Sequence, residues 1–375
     1  MKKVIVLGST GSIGTSALDI IRSNRDDFQL TGLSANSRET ELLAQAAEFS
    51  VSSLALTGKE TSDSRITYHG PEGLLDLIKE TDADIVVNGI SGAVGLAPSV
   101  TALESGMDLA LANKETMVMA GRLINSLAEK KGRRILPVDS EHSAIFHLME
   151  GKNPDDIYEY IITASGGPFR GYTSEQLKNV TAEQAMKHPT WDMGYKISID
   201  SASMANKGLE VIECWRLFNI PLDKIKVLVH PQSMVHSLIR TNDLAMYAHI
   251  SHPDMRLPIQ NALYYPDLKP VPSSFLDLAG REMTFFEPDM DNFPMLPLAY
   301  RAAESAGAYP IVYNAVNEVA VQALVDEKIG FTEIPEITEQ LLSGDWTAEP
   351  QSFDEVLAVD TLCRQEAVEL IKKRM

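Results

Sequence analysis

The first residues whose types and spacing could do chemistry are Gly8-Ser9-Thr10-Gly11-Ser12-Ile13-Gly14, directly after the apolar run Val4-Ile5-Val6-Leu7. A strand that enters a glycine turn and leaves as a helix presents free backbone N–H groups and a positive dipole end, which together cradle a pyrophosphate. The spacing is G-x-x-G-x-x-G rather than the commoner G-x-G-x-x-G. A turn that merely needs small residues is the competing explanation. An NAD-preferring site would end its second strand in Asp or Glu to bind the ribose 2′-hydroxyl. Here that strand runs into Leu33-Ser34-Ala35-Asn36-Ser37-Arg38, where Ser37 and Arg38 can donate to a 2′-phosphate and no carboxylate precedes them. The expected cofactor is NADPH.

A second set is acidic. Val138-Asp139-Ser140-Glu141-His142-Ser143 follows an apolar strand, and in extended backbone Asp139 and Glu141 project to one side. Carboxylates so placed repel each other unless protonated or bridged by a cation. A solvated loop with an acidic helix start would read the same way. Further along, Asn206 and Lys207 precede Glu210 by four and three residues, so on a helix all three share a face. An ordinary surface Lys–Glu pair has the same spacing. Asp139, Glu141 and Glu210, with no cysteine and no clear histidine ligand set, would suit a hard divalent ion, Mg²⁺ or Mn²⁺. His188-Pro189-Thr190-Trp191-Asp192-Met193-Gly194 reads either as a mobile cover with an apolar face or as a buried connection around a core Trp. His236 could contact a ligand; His69, His147, His230, His249 and His252 read as ordinary surface or core residues.

These residues need a frame, and the chain supplies an α/β one. Up to residue 138, short apolar strands (Lys3–Leu7, Gln29–Ser34, Ser53–Leu56, Ile85–Asn88, Asp108–Leu111, Arg134–Val138) alternate with amphipathic helices such as Ile13–Ser23, Arg38–Glu48 and Glu115–Lys131. That alternation predicts a Rossmann-like parallel sheet covered on both faces. Residues 139–264 predict a mixed α/β catalytic domain. It contains a strand over Tyr158–Ala164, a helix from about Met204 to Phe218, a strand over Ile225–Val229, and a hairpin of His236–Arg240 and Ala245–Ile250. Six prolines between Pro266 and Pro297 mark a linker over 265–290. Stripes of Val312, Ala315, Val316, Val319 and Ala323, and of Val356, Val359, Cys363, Ala367 and Leu370, predict a C-terminal helical bundle over 291–375.

The 375 residues carry 33 basic and 52 acidic side chains, a net charge of −19, which argues against nucleic-acid or anionic-membrane partners. A few local donors can still hold an anionic small ligand against that field. Two cysteines are too few for a disulfide framework, and no signal-peptide or membrane-spanning pattern occurs, so a cytoplasmic location is expected.

The stretches above, with Leu111-Ala112-Asn113-Lys114-Glu115, Ala164-Ser165-Gly166-Gly167-Pro168-Phe169 and His230-Pro231-Gln232-Ser233, resemble the 1-deoxy-D-xylulose 5-phosphate reductoisomerase family along nearly the whole chain. That family comprises NADPH-dependent enzymes of the non-mevalonate isoprenoid pathway. The resemblance implies that Thr10, Gly11, Ser12 and Ile13 bind the pyrophosphate, with Asn113, Glu115 and Gly194 also on the cofactor. It implies Asp139, Glu141 and Glu210 as ligands of Mg²⁺ or Mn²⁺, with Co²⁺ a further option. Lys114, Ser140 and Glu141 would contact the substrate backbone. Ser165, His188, Ser201, Asn206 and Lys207 would bind the rest of it, several at its phosphate. Trp191 and Met193 would belong to a lid over about 186–196. Similar enzymes often carry Gly, then Lys, Arg or Ser, then Asn at the 2′-phosphate position. Here Asn36-Ser37-Arg38 puts Arg38 where the Asn is expected.

The implied reaction rearranges 1-deoxy-D-xylulose 5-phosphate to a branched aldehyde, by a retro-aldol/aldol or an α-ketol route, and reduces it to 2-C-methyl-D-erythritol 4-phosphate. The implied partners are a small phosphorylated sugar and a second copy of the chain. Two rival readings remain. A semialdehyde- or homoserine-type NADPH dehydrogenase is one, although the former needs a nucleophilic cysteine and Cys214 and Cys363 fall in a helix and on a core stripe. A non-catalytic NADPH-sensing protein, which needs no carboxylate trio, is the other.

Overall fold

The computed structural model describes residues 1–191 and 193–374. Asp192, inside the expected lid, lies outside the described residues. The chain partitions into two compact units. One comprises Met1–Thr116, Ile124–Ser143 and Asp254–Phe275; the other comprises Met117–Leu123, Ala144–Pro253 and Leu276–Met375.

In the first unit, strands β1 (Lys2–Leu7), β2 (Phe28–Ala35), β3 (Ser53–Leu56), β4 (Tyr68–His69), β5 (Ile85–Asn88), β6 (Asp108–Leu111) and β7 (Ile135–Pro137) form one sheet in the order β4-β3-β2-β1-β5-β6-β7. Every pairing is parallel. Strands buried on both faces read as continuous apolar runs, and Val4, Ile5, Val6 and Leu7 of β1 are all fully buried. The helices are α1 (Ser12–Ser23), α2 (Glu39–Phe49), α3 (Gly70–Glu80), α4 (Leu96–Glu104), α5 (Lys114–Lys131) and α6 (Ser140–Met149), the last two continuing into the second unit. The strand order reverses between β1 and β5, the switch point at whose carboxyl ends open α/β sheets bind ligands.

The second unit holds the expected mixed sheet. Strands β8 (Ile157–Ala164), β9 (Ile225–Val229), β10 (Val235–Thr241) and β11 (Met246–Ile250) lie in the order β11-β10-β8-β9. β8 and β9 are parallel, and β10 runs antiparallel to both β8 and β11. The short helices α7 (Ser174–Leu177) and α8 (Ala182–Ala185) both begin in capping boxes, at Thr173 and Thr181. They lead to α9 (Tyr195–Ala202) and α10 (Ala205–Phe218). Helix α11 (Arg256–Tyr264) packs in the first unit against α1, where Tyr264 meets Phe28 edge-on and its hydroxyl donates to Asp27. Helices α12 (Met295–Ser305), α13 (Tyr309–Val325), α14 (Glu333–Leu342) and α15 (Phe353–Arg374) form the helical region expected at the C-terminal end. Val312, Ala315, Val316 and Ala323 of the first stripe are buried, as are Val356, Cys363 and Ala367 of the second. All of these except Val356 share one core with α9, α10 and the inner face of the mixed sheet.

One local expectation is corrected. Asp139 and Glu141 do not lie in extended backbone, because Ser140 opens α6 and Glu141 sits in its first turn. Ser143 N–H donates to the Asp139 carbonyl, closing that turn. Acidic side chains near a helix start are favoured by the dipole and by the free N–H groups there, and Asp139 Oδ1 accepts from the Ser140 N–H. Among the described residues no helix is long and apolar enough to cross a membrane.

Candidate active site

The glycine turn joins β1 to α1 as expected. Gly8 has φ +68°, and its N–H donates to Ser34 Oγ at the end of β2. Gly11 N–H returns to the Gly8 carbonyl at 2.9 Å, and Gly11 caps α1 with no side chain over the first N–H groups. Gly11 and Ser12 are exposed, whereas Thr10 is buried and Ile13 half-buried. Gly14 is required by close approach: a Cβ there would lie 2.3 Å from the Gly8 carbonyl oxygen. Gln45 of α2 anchors the turn by exchanging hydrogen bonds with Ser9 Oγ and the Ser9 carbonyl. The geometry fits a bound pyrophosphate: backbone donors stand at an uncapped helix end, and small residues let the backbone come close.

Ser37 and Arg38 follow β2, both exposed. The Arg38 guanidinium donates to the Thr10 carbonyl at 3.0 Å and meets Glu41 at 3.4 Å, so it reaches across the glycine turn. Glu39, at the start of α2, is engaged by Lys59 and Thr61. Asn113 is buried at the start of α5, where its Oδ1 caps the Thr116 N–H. Its Nδ2 donates to the carbonyls of Ile90 and Gly92 and to Glu115. Asn113 and Glu115 thus shape the loop after β5, beside the switch point.

Lys114 and Asp139 stand after β6 and β7 respectively. The buried Lys114 ammonium meets Asp139 Oδ2 at 2.5 Å, and the side chains are only 7% and 13% exposed. Ser140 Oγ donates to Glu141 at 2.6 Å. His142 is fully buried, its Nδ1 3.9 Å from Asp139. A cation of the protein therefore already stands against one of the expected metal-binding carboxylates.

In the second unit, β8 ends in Ser165-Gly166-Gly167-Pro168, where both glycines adopt positive φ. A Cβ on Gly167 would lie 2.7 Å from the Ser201 carbonyl oxygen, so the loop packs directly on the end of α9. Ser165 Oγ lies 2.9 Å from His188 Nε2. His188 Nδ1 accepts from the N–H groups of Thr190 and Trp191. With Nδ1 accepting twice, Nε2 carries the proton and donates to Ser165. Burial pushes the His188 imidazole down to about 4, so the ring stays neutral at physiological pH. Trp191 and Met193 are half-buried in the irregular stretch before α9, whose exposed N-cap is Gly194.

Ser201, Asn206, Lys207 and Glu210 gather where α9 turns into α10. Asn206 Nδ2 donates to one Glu210 oxygen at 2.5 Å, and Lys207 bonds to the other. Lys207 and Glu210 are buried, which separates them from a solvated surface pair. Each unit thus carries acidic side chains, Asp139 and Glu141 in one and Glu210 in the other, and carboxylate oxygens are the donors that a hard ion such as Mg²⁺ or Mn²⁺ takes. Sequence reasoning missed Tyr313 and Asn317, which touch the α9–α10 corner from α13. The available signal was polar side chains inside the otherwise apolar run Tyr309–Val325.

A doubly wound parallel sheet with a glycine turn at the start of its first helix, together with a mixed sheet and buried acidic side chains, defines an α/β protein of the dinucleotide-binding class. The chain belongs to the 1-deoxy-D-xylulose 5-phosphate reductoisomerase family. The family's profile matches residues 4–121, and its C-terminal domain profiles match 135–218 and 250–366. A reductoisomerase of Treponema denticola is 47% identical over the whole of this chain and 98% of its own length. One of Desulfitobacterium hafniense is 44% identical over 99% of this chain and all of its own. Among solved structures, the Zymomonas mobilis reductoisomerase in complex with NADPH superposes with a TM-score of 0.90 at 40% identity, covering 99% of both chains. A reductoisomerase in complex with NADPH, fosmidomycin and magnesium superposes with a TM-score of 0.92 at 37% identity, covering 99% of this chain and 98% of that one.

Proposed function

We propose that this chain converts 1-deoxy-D-xylulose 5-phosphate to 2-C-methyl-D-erythritol 4-phosphate in isoprenoid precursor biosynthesis, using NADPH and Mg²⁺ or Mn²⁺. The single observation that carries this reading is full-length similarity, at 47% identity, to a reductoisomerase. When bound, the divalent ion supplies Lewis acidity toward the substrate carbonyl and its neighbouring hydroxyl, and NADPH supplies the hydride.

The chain's own residues do the rest. Thr10, Gly11, Ser12 and Ile13 hold the pyrophosphate at the α1 N-terminus, with Ser37 and Arg38 toward the 2′-phosphate and Asn113, Glu115 and Gly194 along the cofactor. Asp139, Glu141 and Glu210 hold the ion. Lys114, already against Asp139, would steady negative charge on the substrate's oxygens, and Ser140 and Glu141 would orient the carbon skeleton. Ser165, His188, Ser201, Asn206 and Lys207 supply donors to the phosphate end. Binding energy at that unreacting phosphate is available for closing the segment that carries Trp191 and Met193, which excludes water from hydride transfer. In this reading 1–138 is the cofactor domain and 139–264 the metal and substrate domain, with its lid over about 186–196. Residues 265–290 link it to helical support over 291–375.

The buried cysteines disfavour a thiol-nucleophile dehydrogenase. Burial raises Cys214 well above its usual range and pushes Cys363 up to about 12. The enzyme acts in the cytoplasm as a homodimer. Support for dimerisation comes from β11, at one end of the mixed sheet, with Met246, Tyr247 and Ile250 exposed together. An uncovered apolar edge strand invites pairing with another copy. NADPH absorbance with purified protein and 1-deoxy-D-xylulose 5-phosphate tests the activity. Oxidation is expected only with Mg²⁺ or Mn²⁺ present, and no oxidation under any metal would refute it.

A further inference from the structure

The corner between α9 and α10 presents Ser201 on one helix and Asn206 and Lys207 on the next, so the angle between two helices sets the spacing of these donors. The corner is a strained one. Met204 adopts φ +64°, ψ +7°, left-handed backbone that a non-glycine residue adopts only when its surroundings hold it there. What holds it is α13. Asn317 Nδ2 donates to Asp200 Oδ1 at 2.7 Å, and Lys196 takes the other oxygen at 2.7 Å. Asp200 is 1% exposed and Asn317 fully buried. The Tyr313 hydroxyl points at the carbonyls of Ala205 and Met295, at 3.4 and 3.0 Å. Gly208 lets α10 lie against that hydroxyl, since a Cβ there would come within 2.4 Å of it. Inside the corner, Ser203 Oγ bridges the Asp200 carbonyl to the Ala205 N–H. One helix of the C-terminal region therefore grips the last turn of α9 and the first residue of α10 through two separate polar contacts.

We propose that Tyr313 and Asn317 are positioning residues that set the distance between Ser201 and the Asn206–Lys207 pair, and so tune the site to a tetrahedral phosphate. This rests on the reading of Ser201, Asn206 and Lys207 as phosphate donors. Neither side chain needs to touch the ligand. Removing its contact lets the left-handed corner relax and spreads the donors.

The test uses the full-length protein, with inorganic phosphate as competitive inhibitor and the sugar phosphate as substrate. Tyr313→Phe removes one oxygen at constant ring volume, and Asn317→Ser leaves a smaller donor. The two together should raise the phosphate inhibition constant and the sugar-phosphate KM in parallel, by about tenfold. The NADPH KM should stay unchanged and kcat within about twofold. The isosteric Tyr313→Phe variant carries the test alone, with a smaller parallel rise, where the double variant does not fold. Ser201→Ala is the reference. If it raises the phosphate constant while the α13 variants do not, the positioning role is wrong. An equal rise in the NADPH KM shows general loosening and also overturns it. If Ser201→Ala itself leaves the phosphate constant unchanged, the phosphate reading falls and the positioning role falls with it.

Discussion

Replacing Gly14 by Ala is the sharpest test of the cofactor turn, because the obstruction is entirely backbone. The new Cβ would lie 2.3 Å from the Gly8 carbonyl oxygen, 2.4 Å from Ser9 Cα and 2.6 Å from Ser9 C. None of these atoms can swing aside as a side chain would. Restoring ordinary contact distance requires α1 and the turn to separate by about 1 Å, a shift of the size that misplaces ligand-binding groups. The turn has little room to retreat, since Gly8 already approaches the Gly89 carbonyl: a Cβ on Gly8 would be 3.0 Å from it. Overpacking of this kind costs about 2–4 kcal/mol. At about 2–4 °C per kcal/mol for a body of this size, the melting temperature should fall by roughly 4–16 °C. NADPH affinity should fall by about 10–100-fold as the backbone donors move. Gly11→Ala is the built-in control, because its only close neighbour is the Gly8 carbonyl at 3.3 Å. It should cost less than about 1 kcal/mol. Thermal melts and titration of nicotinamide fluorescence read both quantities. Wild-type NADPH affinity and melting temperature in Gly14→Ala, or an equal fall in melting temperature from Gly11→Ala, would refute the packing argument.

Three further outcomes are expected. Arg38→Ala should raise the NADPH KM severalfold and leave the NADH KM nearly unchanged; an equal rise in both would mean that Arg38 acts only by bracing the Thr10 carbonyl. Trp191→Phe should abolish most of the tryptophan emission change produced by metal plus a hydroxamate–phosphonate mimic of the substrate, with circular dichroism unchanged. Persistence of the full change would assign it to Trp215 or Trp346 and remove Trp191 from the lid. Burial, reinforced by the neighbouring His147, pushes His249 down to about 4. The unfolded chain therefore takes up this proton first, and folding stability should be lost as pH falls from about 6.5 toward 4, by about 2–3 kcal/mol at most. Urea melts of His249→Gln across that window should show a shallower slope, and an identical slope would clear His249.

Much of this architecture was legible in the chain because parallel strands buried on both faces leave little else to be. β3, β5 and β6 coincide with the short apolar runs Ser53–Leu56, Ile85–Asn88 and Asp108–Leu111. The hairpin of β10 and β11 follows from the polar turn after Thr241. The misreading at Asp139–Glu141 arose where a strand hands over to a helix within one residue. The apolar run before it carried the extended pattern forward, although Ser140 and the first-turn Glu141 are ordinary helix-start residues. Helices α3 and α4 follow from the strand–helix alternation but have no distinct signature of their own. The first follows a two-residue strand and starts with Gly70-Pro71, and α4 carries no polar face to give it a period, six of its nine residues being buried. The site was legible as motifs, whereas the contacts of Asn317 with Asp200 and of Tyr313 with Ala205 join residues more than a hundred apart in sequence, which no local pattern records.

We propose that Glu210, with Asp139 and Glu141, holds the divalent ion required for turnover and takes no part in holding NADPH. Steady-state turnover and NADPH binding, measured side by side in Glu210→Gln across a Mg²⁺ titration, test it most directly. The account predicts turnover lower by about two powers of ten or more even at saturating Mg²⁺, the size of effect expected for a lost metal ligand, with NADPH affinity within about twofold of wild type. Near-normal turnover at saturating Mg²⁺, or an equal loss of NADPH binding, would contradict it.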